Sequence, residues 1–221
     1  MLSLGLSSPV QSNPPLYPEG FVRHFHTAPP QQKIKQQYQH AANLMRNGHT
    51  NQSIDTLKAL LQHDNDYLPA HHLLIALLIE QQDYLQATQW LDNSEKRFPE
   101  KWSLRHLRAR LLMMENKTEQ ALTHLQYRPP RLESAPDYYG LMATLQQKLG
   151  YPDQALPLYQ QLLLLQPQQG RWWVGLATSS ESLEDYKSAF KAYQKALESP
   201  VLPIILRHFC QQRLQTLQDY N

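Results

Sequence analysis

The sequence predicts an all-α solenoid of about five consecutive helix pairs, closed at its C-terminal end by one further helix. Three observations carry this. From residue 34 onward, apolar residues recur at the three-and-four spacing of helices that face a core. Small residues stand at Ser53, Ala87, Ala121, Ala155 and Ala189, each 34 residues after the last. A fixed period of that size marks a repeat architecture, in which each unit buries its apolar face on the next. Gly48, Asn116 and Gly150, which tolerate positive φ, fall between the helices of a pair.

Residues 1–33 carry Pro9, Pro14, Pro15, Pro18, Pro29 and Pro30 among Ser, Gln and Asn, and are expected to be a disordered linker. Proline removes backbone donors and favours extended chain. Phe21 and Phe25, flanked by His24 and His26, leave two arrangements open: docking on the first helix, or a loose collapse onto the array. Units then run 34–67, 68–101, 102–135, 136–169 and 170–203 without insertion.

Within a unit the two helices cross where a bulky side chain would hold them apart. This accounts for the alanines of the second helices, and for Ala41, Ala109, Ala143 and Ala177 on the first. Large residues fill the flanking layers. Tyr139 and Trp173 share one slot; Leu57, Leu91, Tyr159 and Tyr193 share another. By that register Trp173 belongs to the core and Trp172 is the freer ring. Pro99 and Pro167 end second helices, whereas Pro157 sits inside one and is expected to remove a hydrogen bond and bend it.

The third unit departs most. Arg105 and Arg108 stand where large apolar residues are usual, and Arg128-Pro129-Pro130 shortens the second helix. Either this is drift, with Leu104, Leu107 and Leu111 turned inward, or it is a flexible joint between units one and two and units four and five. After Pro203 a capping helix is expected to bury Ile205, Leu206, Phe209, Cys210, Leu214 and Leu217. Arg207, Gln211, Gln212 and Gln215 are left for solvent.

Composition narrows the function classes. Hydrophobic residues are 41% and charged residues 18%, enough to bury a core and too apolar for a disordered chain. The net charge is +2 with no run of Lys or Arg, which argues against nucleic acid. The single cysteine, Cys210, excludes an internal disulfide and reads as a buried structural thiol. The longest apolar run, residues 73–79, is far below the roughly 18 residues of a membrane span. Residues 1–10 lack the basic start and apolar stretch of a signal peptide. A cytoplasmic protein is expected if Met1 is the true start, or else an anchor upstream of it.

No Gly-x-Ser-x-Gly, phosphate loop or Gly-x-Gly-x-x-Gly occurs, so no catalytic residue and no enzyme activity is expected. The histidines point to no metal or other cofactor. His71 and His72 are adjacent and diverge by about 100° on a helix, and no His-Glu-x-x-His is present.

The 34-residue pattern resembles the tetratricopeptide repeat (TPR) over residues 34–203. The resemblance implies a right-handed superhelix whose first helices line a concave, protein-binding groove through four positions per unit. In this chain those positions give Tyr38 and Met45; His72; His106, Arg110 and Met113; Thr144 and Gln147; Arg171 and Thr178, beside Ala42, Ala76, Ile79, Gly140, Val174 and Glu181. The Lys/Asn/Arg set that clamps chaperone C-termini is missing from the first unit, so that partner is not expected.

A narrower resemblance lies near the end of the chain. Pro167-Gln168-Gln169-Gly170-Arg171-Trp172-Trp173-Val174-Gly175-Leu176, then Ala192-Tyr193-Gln194-Lys195-Ala196-Leu197 and Gln212-Arg213-Leu214, resemble MshN-type accessory proteins of MSHA type IV pilus biogenesis. That resemblance implies a non-enzymatic scaffold on the periplasmic face of the inner membrane, with pilus-assembly proteins as partners and no nucleic acid or small-molecule substrate. Membrane contact would come only through an anchor not present in this chain. The alternative is a cytoplasmic TPR adaptor or secretion chaperone holding an extended peptide.

Overall fold

The computed structural model describes residues 30–218. The remainder of the expected linker, with Phe21 and Phe25, lies outside the described residues, as does the tail beyond 218. Within them the chain is helical throughout, with no strand. The order is α1 (Pro30–Arg46), α2 (Thr50–His63), α3 (Leu68–Glu80), α4 (Tyr84–Arg97), α5 (Trp102–Met114) and α6 (Thr118–Gln126). A short 3-10 turn (Leu132–Ser134) follows, then α7 (Pro136–Lys148), α8 (Pro152–Leu165), α9 (Gly170–Ser182), α10 (Tyr186–Leu197) and α11 (Ile204–Thr216). α1 starts at Pro30, inside the stretch assigned to linker. Proline's φ suits a first helical residue, and its missing N–H is not needed there.

Each pair turns back through the same device. Gly48, Gln82, Asn116, Gly150 and Glu184 have φ of 80°, 61°, 62°, 81° and 61°, and they follow one another at the repeat period. Behind each, two backbone bonds close the helix end: Gly48 N–H to the Met45 carbonyl and His49 N–H to Leu44 in the first unit, Glu184 to Glu181 and Asp185 to Ser180 in the last. This is the Schellman closure, which satisfies carbonyls left over at a helix terminus. Asp83 and Asp185 then cap the next helices, accepting from the Gln86 and Ser188 N–H groups at 3.1 Å.

The small residues lie where the helices touch. Ala41, Ala109, Ala143 and Ala177 on first helices, and Ala87, Ala121, Ala155 and Ala189 on second helices, are fully buried. Ser53 holds the equivalent place in α2, and its hydroxyl donates to the Ala41 carbonyl at 2.8 Å, so no polar atom is left unpaired.

The core runs the length of the array as overlapping clusters. One joins α1 to α5, a second α5 to α8, a third α7 to α9, and a fourth α9 to α11. α5 belongs to two of them. Leu104, Leu107 and Leu111 face back toward α3, while Ala109 and Leu112 face forward to α6 and α7. Arg105 and Arg108 are thereby turned off the core. Arg108 pairs with Asp92 and Glu95 of α4 at 2.5 Å each, and Arg105 donates to the Arg128 carbonyl at 2.8 Å.

Successive first helices pack on one another, α1 on α3, α3 on α5, α5 on α7 and α7 on α9, while the second helices contact mainly the helices beside them in sequence. An array closed along one row and spread along the other is concave on the first-helix side.

Three expectations are corrected. Trp172, not Trp173, is the buried ring, at 4% exposure. Its six-membered ring lies against α7 at Gly140, where any Cβ would collide with it. Ile205 is 78% exposed, whereas Cys210 and Leu217 are buried and Leu206, Phe209 and Leu214 pack half-buried as expected. Arg207 is not left to solvent: its guanidinium donates to the Leu197 and Ser199 carbonyls at 3.0 Å, closing the end of α10. α8 runs through the exposed Pro157, which removes a hydrogen bond on the solvent side.

Candidate functional site

The row of first helices forms two adjoining cavities on the concave side. α1, α3 and α5, with the start of α7, enclose about 560 Å³. α5, α7 and α9, with Tyr159 of α8 and Leu206 of α11, enclose about 580 Å³. His106 and Asp137 face both, so the two form one groove with a seam. Tyr38, His72, His106, Arg110, Met113, Thr144, Gln147, Arg171 and Thr178 line it, with Ala76, Gly140 and Val174; Ala42, Ile79 and Glu181 do not, and Met45 packs half-buried on the core around α1 to α4.

The two halves differ in chemistry. The first is walled by Tyr38, Leu68, Leu73, Trp102, Leu107 and Tyr138. Tyr38 meets Tyr67 edge-on at 5.4 Å, and Trp102 meets Tyr138 edge-on at 6.1 Å, so these rings are held in place before any partner arrives. Burial, then Tyr67, raises the Tyr38 hydroxyl above its usual pKa. His72 Nε2 lies 2.8 Å from the Ser103 hydroxyl, which ties α3 to α5. Burial lowers its pKa, with His71 adding to the effect.

The second half is polar. Gln147 Nε2 lies 2.7 Å from the Thr178 and Ser179 hydroxyls and 2.8 Å from the Gly175 carbonyl. Its Oε1 accepts from the Tyr159 hydroxyl at 2.9 Å, and Thr144 is 3.1 Å from the same hydroxyl. Burial pushes the Tyr159 pKa up to about 12, so it remains a neutral donor. Arg171 pairs with Asp137 of α7, and its guanidinium lies 4.2 Å from the centre of the Trp172 ring. Thr144, Gln147, Thr178 and Arg171 therefore already serve the contacts between neighbouring helices.

Two groups stand apart. His106, at the seam, has its pKa pushed down to about 4 by burial first and by Arg110 second, so it is neutral near pH 7. Arg110, one turn further along α5, is half-buried and has no hydrogen bond or ion pair among the described residues.

His71 belongs to the core and not to the groove. It is fully buried, with Nδ1 2.7 Å from the Ser94 hydroxyl and Nε2 3.0 Å from the Asn65 carbonyl. Among the described residues no three His, Cys, Asp or Glu side chains stand together as metal ligands would. Cys210 is fully buried, and burial raises its thiol pKa, so little thiolate forms. No helix among the described residues is long and apolar enough to cross a membrane.

The groove thus lies on the inner row of a helix-pair array, and comparison with known proteins finds the same repeat. Residues 141–201 match the tetratricopeptide repeat family. The fold is that of a TPR array. TTC0263, a TPR protein of Thermus thermophilus, superposes with a TM-score of 0.65 at 17% identity, over 82% of this chain and 99% of its own. PilF of Pseudomonas aeruginosa gives 0.69 at 14% identity, over 85% and 89%. A TPR protein of Parabacteroides merdae gives 0.64 at 16%, over 84% and 71%. At such identities the likeness is one of fold. No curated protein matches the chain in sequence.

Three residues that shape the groove went unnoticed in the sequence, Trp102, Asp137 and Tyr138, and Tyr159 was read there only as part of a core layer. The signal for two of them was present. Asp137 and Arg171 are opposite charges one repeat apart, as are the two rings Tyr138 and Trp172 beside them, and residues one repeat apart stand side by side on neighbouring first helices.

Proposed function

We propose that this chain is a non-enzymatic scaffold whose inner groove holds an extended segment of a partner protein, in the assembly of a bacterial envelope machine of the type IV, MSHA-like pilus class. The observation that carries the binding role is the groove itself, an unbroken line of first-helix side chains from Tyr38 to Thr178 with a rigid aromatic wall at one end and a polar floor at the other. Such a surface suits an extended segment that meets successive helices in turn. The pilus assignment rests on the resemblance of residues 167–176, 192–197 and 212–214 to MshN-type proteins. The likeness to PilF is compatible with it and, at 14% identity, adds fold alone. A periplasmic position at the inner membrane follows from the same resemblance.

The test is site-specific photo-cross-linking in living cells, with the reactive residue at Tyr38 or Met113 in the groove and at Gln161 or Lys195 on the outer helices. A pilus-assembly component should be captured from the groove sites and not from the outer ones. Capture from the outer sites alone would move the binding surface. Capture of a cytoplasmic secretion substrate from the groove would keep the groove and replace the pilus reading with that of a secretion chaperone.

A further inference from the structure

The charge pattern of the groove specifies more about its occupant. Five charged or titratable groups bear on the second half: Arg110, Arg171, Asp137, His106 and Tyr159, whose hydroxyl stays neutral. Arg171 and Asp137 neutralise one another, and His106 is uncharged near pH 7 because its pKa is pushed down to about 4. Arg110 remains as the uncompensated charge. A half-buried guanidinium without a partner is an unstable arrangement, since its donors have given up part of their water and gained nothing in return.

We propose that the segment held in the groove carries an acidic side chain that pairs with Arg110, about three to five residues from an apolar side chain seated between Tyr38, Leu73, Trp102 and Tyr138. This rests on the protein-binding reading above. A carboxylate suits the site because one guanidinium fork matches and neutralises one carboxylate, while a phosphomonoester, with a charge of about −1.5 to −2 at pH 7, would keep part of its charge unpaired. The acid comes from a side chain and not from a chain end. Arg110 lies on α5, the third of five first helices, and the groove continues past it along α7 and α9, so an extended occupant runs on in both directions. The spacing follows from geometry. Arg110 stands eight residues beyond Trp102 on α5, about 12 Å along the helix at roughly 1.5 Å per residue, which extended chain covers in about three to five residues at roughly 3.3 Å each.

The experiment is selection of a random twelve-residue peptide library, displayed on phage, against the full chain and against Arg110→Glu. Arg110 makes no internal bond, so both proteins should give the same circular dichroism and melting. Selected sequences should share Asp or Glu about three to five residues from an aromatic or aliphatic residue, and Arg110→Glu should select Lys or Arg at the acidic place instead. A labelled synthetic peptide, C-terminally amidated, should lose roughly tenfold in affinity on Arg110→Ala and should weaken as salt is raised. An acid-free consensus, or an acidic one that Arg110→Glu leaves unchanged, overturns the proposal. So does a peptide that binds only with its terminal carboxylate free. If Tyr38→Ala weakens binding while Arg110→Ala does not, the acid is wrong and the groove stands. If neither change matters, or if no sequence is enriched, the groove reading fails with it.

Discussion

At the scale of single residues, the repeat imposes a backbone conformation that not every unit supplies comfortably. The turn residue is left-handed in all five units, yet only two are glycine, and Gln82 and Glu184 hold φ of 61° with a full side chain. Such a residue costs about 1–2 kcal/mol, part of which glycine would return to the flexible unfolded chain. Glu184→Gly should therefore stabilise the protein, by up to about 1 kcal/mol, while Gly150→Ala should destabilise it; urea melts of the two variants decide. His106 makes a second residue-scale prediction. Its pKa is about 4 in the folded protein against about 6.5 unfolded, so between those values the unfolded chain binds more protons. Its stabilising contribution is complete above about pH 6.5 and is lost as pH falls through that window. Burial lowers His71 and His72 in the same direction. The melting temperature should drop between pH 7 and pH 4.5, and the drop should be shallower in His106→Gln. Identical slopes would mean that His106 titrates as it would in water.

Single elements show how far a helix can depart from the repeat and still hold its place. α8 keeps its length across Pro157 because the proline faces outward while Ala155, Tyr159 and Leu162 stay packed. Tertiary contact here overrides a local break that would cost an isolated helix about 3 kcal/mol. Pro157→Ala should raise stability by up to that amount, measured by thermal unfolding; an unchanged melt would show that the bend is already accommodated. The opposite change tests the helix crossings. Ala155 and Ala189 are fully buried between helices, and leucine at either should cost about 1–3 kcal/mol through overpacking. The closing element is held as much by polar contacts as by its apolar face. Besides Arg207, Arg213 reaches from α11 to Glu181 of α9, which also accepts from the Tyr193 hydroxyl of α10 at 2.8 Å. Three successive helices thus share one carboxylate, and the last apolar layer is covered.

For the whole molecule the question is whether Arg128-Pro129-Pro130 divides the array. α6 has nine residues and is the shortest of the helices described. The segment after it is nevertheless tethered: the Tyr138 hydroxyl donates to the Leu125 carbonyl at 2.7 Å, Tyr139 to Pro130 at 2.6 Å and Arg105 to Arg128 at 2.8 Å. The core also continues across it through α5 and α7. Tyr127 remains 60% exposed at its edge. Among residues 30–218, limited chymotrypsin digestion should cut first after Tyr127, and Tyr139→Phe should speed that cut. Resistance equal to that of α7 to α10 would mean that the array behaves as one rigid unit.

The helices, their period and their contact points were legible in the sequence because a solenoid is nearly one-dimensional. Each unit meets only its neighbours, so one alanine or one turn residue recurs at a constant interval and announces the contact it makes. The line of first-helix positions that forms the groove follows from the same regularity. The tertiary structure decided what periodicity does not encode. It buried Trp172 over Gly140 and left Trp173 half out, and it exposed Ile205 and turned Arg207 to the end of α10. It engaged Gln147, Thr144 and Thr178 between helices and paired Arg171 with Asp137, leaving Arg110 alone. These outcomes depend on the combined shape and charge of side chains from two or three helices at once, and a residue's place in the repeat records only its own helix.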